Sequence, residues 1–169
     1  QQTRARVQLL RGQPARALAT LDEADRLAAA AGVARTENGG RLTDRAQVYM
    51  ALVRWSDAQA VFARLVADQS GREAQVAGCL QHLLLAFMNR LADPPASRQD
   101  LAQGLALAQA ARYTMFFRLL PGTAASVCAL ALQAEMAPQF VDEVIRSRQL
   151  PAPADADGRW PWPLWLNLL

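Results

Sequence analysis

The side chains best suited to chemistry in this chain are Cys79 and His82, three positions apart in the segment Cys-Leu-Gln-His. On a helix that spacing sets a thiol and an imidazole one turn apart, which is half of a zinc site. The other half is missing. His82 is the only histidine, and the second cysteine, Cys128, lies in a separate apolar run. Both cysteines read as buried, reduced thiols. Three carboxylates cluster at Asp22, Glu23 and Asp25, but Arg26 follows them at once. Such a run on a helix reads as a solvated, ion-paired face rather than an acid/base pair. Asp155 and Asp157 sit in a Pro/Ala stretch, a poor mount for catalysis. The sequence holds no lysine, so a phosphate-binding GxxxxGK[ST] loop is excluded. No serine has both a histidine and a carboxylate partner in prospect. The expectation is a segment with no catalytic residues, no metal and no cofactor.

The positions that would carry a ligand must be set by helices. Alanine and leucine dominate, and aromatic residues are 7% of the 169. All 18 basic residues are arginine, and the net charge is +3. They are scattered and form no basic stripe, so no direct nucleic-acid contact is expected. No apolar run is as long as a membrane helix, and the first residues lack a signal peptide's core. A cytoplasmic protein is expected. The missing initiator methionine suggests a piece of a longer chain.

The clearest stretch is Arg41–Ser70. Leu42, Ala46 and Tyr49 share one helical face, and Ala58, Phe62 and Leu65 share another, with a turn at Arg54–Ser56. Ser56 with Gln59, and Ser70 with Glu73, have the spacing of capping boxes. Ala17, Leu21 and Ala24 repeat the four-then-three spacing 41 residues earlier, and Leu101, Leu105 and Ala108 repeat it 43 residues later. Three hairpins follow: 3–31 with its turn at Gly12–Pro14, 41–70, and 71–112 with a loop at Ala92–Ser97. Thr123 caps a further helix over 124–136, and another runs from Pro138 to Arg148. These two would close the stack, which needs a final covering element. Residues 150–158 read as an extended linker, and WPWPLWLNLL as tryptophans that pack back on the domain or form an exposed patch, with a strand at the end.

The hairpin pattern resembles the tetratricopeptide (TPR) repeat, with Leu42, Ala46, Tyr49, Ala58, Phe62 and Leu65 at its signature positions and Trp55 at the turn. The resemblance implies a groove lined by Thr43, Gln47 and Met50, by Arg6 from the preceding hairpin, and by Gln81 and His82 from the following one. Residues 105–153 are similar to the end of the helical-repeat domain of MalT-like bacterial transcription regulators. Arg112–Tyr113 stands where that family has a Gly–Tyr pair, and Pro138–Gln139–Phe140–Val141 opens the last helix. That resemblance implies an NTP-hydrolysing domain before residue 1, a DNA-binding domain after residue 169, and a small-molecule inducer or a protein or peptide partner. It supplies no binding residue.

The expected architecture is therefore all-α. A superhelical array of about three TPR-like hairpins with two closing helices occupies 1–149, and 150–169 is a linker and the start of a following domain. The expected function is ligand sensing or protein interaction within a larger regulator. The alternative is a TPR scaffold for peptide or protein binding or self-association, with no small-molecule ligand.

Overall fold

The computed structural model describes residues 2–32, 39–68, 71–114, 116–117, 120–154, 156 and 158–161. Among these residues it is all-helical, with eight helices and no strand. They are α1 (Gln2–Leu10), α2 (Pro14–Ala30), α3 (Gly39–Ala51), α4 (Trp55–Asp68), α5 (Gly71–Asn89), α6 (Pro94–Ala111), α7 (Pro121–Gln133) and α8 (Pro138–Arg148). The chain forms two compact units, Gln1–Ala77 and Gly78–Leu169, with α5 running from one into the other.

Proline sets four helix starts. Pro14, Pro94, Pro121 and Pro138 each stand at a first helical position, where the absent N–H has no intrahelical partner to lose. This corrects two expected boundaries. Residues 94–97 are helix and not loop, because Asp93 caps α6 by accepting from the Ala96 amide at 3.1 Å. Likewise α7 begins at Pro121, before Thr123. The Ser56 box also fails: the carbonyl of Arg54 already takes the Ala58 amide at 3.1 Å, which puts Ser56 inside the helix. The Ser70–Glu73 box lies outside the described side chains, as do the connection 33–38 and the tail 162–169.

In the first unit α1 packs on α2, α3 packs on both, and α4 packs on α3. The two hairpins match at an offset of 41 residues down to the backbone. Gln13 N–H bonds to the Gln8 carbonyl, and Arg54 N–H to the Tyr49 carbonyl, each at 2.9 Å. Gly12 and Val53 are both left-handed, at φ 69° and 60°. Ala5 and Ala46, Leu9 and Met50, Ala17 and Ala58, and Leu21 and Phe62 are buried pairs at the same offset. Small residues let helices approach, and the large ones fill the layer between them.

In the second unit the end of α5 crosses α6 closely. Gly104 has no room for a side chain beside Leu83, and the Ser97 hydroxyl donates to the Ala86 carbonyl at 2.7 Å. The helix starts Trp55 and Pro94 are 39 residues apart. Helix α6 buries Ser97, Leu101, Gly104, Leu105 and Ala108, a face that satisfies four-then-three spacing twice. α7 packs on α8. Phe116 and Phe117 are buried edge to face at 5.3 Å, and Phe117 meets Phe140 at 6.3 Å. Arg112 takes the left-handed cap of α6 at φ 47°. The stretch after α8 is anchored: Leu150 and Trp160 are buried, and Arg159 donates to the Leu132 and Gln133 carbonyls at the end of α7.

Candidate polar site on helix α3

Helix α3 is laced to the helices before it by charge. Arg45 reaches Asp22 at 2.7 Å and Asp25 at 2.6 Å, and Arg41 pairs with Asp25 as well. Two members of the carboxylate cluster are thus a strap between α2 and α3. The third, Glu23, pairs with Arg26 at 2.6 Å on the surface. The Arg26 hydrogen bond holds the Glu23 carboxyl below its usual range.

The inner face of α3 contains two polar residues where apolar ones would be expected. Asp44 is 4% exposed and Gln47 is 1% exposed, one turn apart. Arg6 of α1 donates from Nε to Asp44 Oδ1 at 2.7 Å. The other carboxylate oxygen, Oδ2, and both amide atoms of Gln47 have no protein partner among the described residues. Buried polar atoms without a partner cost about 1–3 kcal/mol each, and native interiors keep few of them. Burial pushes the Asp44 carboxyl up, and the Arg6 hydrogen bond works against that shift. The arrangement leaves one carboxylate oxygen, one amide oxygen and one amide nitrogen enclosed on the inner face of α3. Their hydrogen-bonding capacity is that of an amide and a carboxylate, and they form no nucleophile–base pair.

Of the residues expected to line a groove, the structure brings Arg6 and Gln47 to this cluster. Thr43 lies half-buried on the same helix, and Met50 is in the core. In the second unit Gln81 and His82 are half-buried on α5, and His82 Nδ1 is 2.9 Å from Asp100 Oδ1 on α6. His82 is thus tied to the next helix. Cys79 and Cys128 are buried, and burial pushes both thiols up to about 12. No group of three potential metal ligands occurs among the described residues. Sequence reasoning missed Asp44. Its signal was a carboxylate three residues from Gln47, beside a face otherwise read as groove.

No family model, no curated protein and no solved structure matches the chain.

Proposed function

We propose that this chain is a recognition domain of TPR-like hairpins, serving ligand sensing or protein interaction in a larger cytoplasmic bacterial transcription regulator. The Arg6–Asp44–Gln47 cluster carries the recognition reading. It is a polar group of two helices with buried hydrogen-bonding capacity to spare. The matched hairpins of the first unit support the repeat reading, since stacked hairpins offer a concave wall. The regulator setting rests on the resemblance of residues 105–153 alone. A ligand that prefers one arrangement of the hairpins would shift the regulator between its states.

Pooled metabolites and a short-peptide library, titrated into the chain and followed by NMR, test this. Binding should centre on α3 and disappear in Gln47→Leu while circular dichroism stays helical. A partner that binds both proteins equally overturns the site. The complete reading frame tests the setting, which requires NTPase and DNA-binding sequence on either side.

A scaffold without a small ligand is the second reading. Val7, Leu10 and Leu27 favour it, since each is more than two-fifths exposed in the first unit. Concentration-dependent mass by light scattering separates self-association from this and from ligand sensing.

A further inference from the structure

The second unit holds a pocket of about 210 Å³ where α5 ends, α6 begins and α7 ends. Its deepest residues are Ser97 and Leu101, with Leu130 beside them, and Arg90, Arg98 and Gln133 stand around the mouth. Arg90 is held in place. It donates from Nη1 to the Phe87 carbonyl at 2.5 Å, and its guanidinium lies 4.0 Å from the centre of the Phe87 ring. Neither contact neutralises its charge. Arg98 is exposed, with no carboxylate partner among the described residues.

The nearby acids are engaged elsewhere. Asp93 caps α6 through the Ala96 amide. Asp100 faces His82 at 2.9 Å, and Glu135 lies 3.9 Å from Arg159. Arg159, facing Glu135, also bonds the Gln133 carbonyl at 2.9 Å. The pocket thus combines the guanidinium groups of Arg90 and Arg98 at its mouth with an apolar wall inside. Guanidinium groups match planar anions through paired N–H donors.

We propose that this pocket binds a small organic carboxylate, its head between Arg90 and Arg98 and its apolar body against Leu101 and Leu130. The volume is that of roughly seven water molecules at about 30 Å³ each. It suits a single ring or a short branched chain, and is too small for a nucleotide. The leucine wall favours an anion with an apolar body over bare phosphate. This site is separate from the α3 cluster and does not depend on its role.

The test is an NMR titration of the ¹⁵N-labelled chain with benzoate at fixed ionic strength, set beside phosphate, benzyl alcohol and chloride. Amides of residues 97–101 and 130–134 should shift saturably with benzoate and more weakly with the others. Arg98→Gln, on an exposed side chain, should keep the helical spectrum and weaken benzoate about tenfold, the scale of one charge-assisted contact. Absence of saturable shifts overturns the proposal. So does equal binding of phosphate or benzyl alcohol, or an unchanged benzoate affinity in Arg98→Gln.

Discussion

Gly104 and Leu83 mark a close helix crossing in the second unit. A methyl group on Gly104 would lie 2.7 Å from Leu83 Cδ2 and 3.1 Å from its backbone nitrogen. Leu83 could turn its side chain, but its backbone cannot yield without moving α5. Gly104→Ala gains about 1 kcal/mol of helix propensity. Overpacking of this kind costs about 1–3 kcal/mol, and a backbone contact belongs at the upper end. A net loss of about 1–2 kcal/mol is expected by urea denaturation.

Phe62 is fully buried and occupies in the second hairpin the place that Leu21 holds in the first. Truncation removes the ring and leaves a cavity between helices that are held on both sides. Phe62→Ala should lose about 3–5 kcal/mol in the same assay. A loss under about 1 kcal/mol would show that the surrounding helices collapse freely into the space.

The pH dependence of Asp44 has a definite sign. Burial, opposed by the Arg6 hydrogen bond, raises its carboxyl above the ordinary 3.8. Between that value and the raised one, the folded chain holds more protons at this site than the unfolded chain. Its contribution to stability therefore falls as pH rises through that window. Asn at this position does not titrate. The stability of Asp44→Asn minus that of the parent should grow as pH rises above about 4 and then level off. Urea titrations at several pH values check this. A flat difference would mean that Asp44 titrates alike in both states.

Both thiols are buried, with titration pushed up to about 12 by loss of solvent. The thiolate is the reactive form, so labelling by an aromatic disulfide reagent at neutral pH should be slow in the native chain. Two equivalents should react promptly in denaturant. Fast labelling of either native thiol would point to local opening of α5 or α7.

The hairpins were legible in the sequence because four-then-three spacing of Ala58, Phe62 and Leu65 is a direct image of a buried helix face. Their ends were less so. Pro94 and Pro121 read as breaks, yet a proline is as suited to beginning a helix as to ending one, and only the cap of Asp93 decides. The 43-residue echo arose because α6 buries five positions, enough to fit the pattern in two registers. At the site, Arg6 and Gln47 were legible as equivalent positions in successive hairpins. The depth of Gln47 and Met50 was not, because spacing shows which residues share a face and not what covers that face. Arg90 and Arg98 carried no signal, since they are distant in the pattern and meet only where three helix ends converge.

Gly12 and Val53 hold the same turn, though only glycine adopts it without steric cost. Arg112, Glu135, Ala137 and Gln149 likewise stand at positive φ. An L residue there gives up about 1 kcal/mol relative to glycine. The turn geometry is therefore imposed by the packed helices and does not depend on the residue type that favours it. For anyone wishing to harden this domain against heat, glycine at these turns is a route that leaves the helix packing untouched.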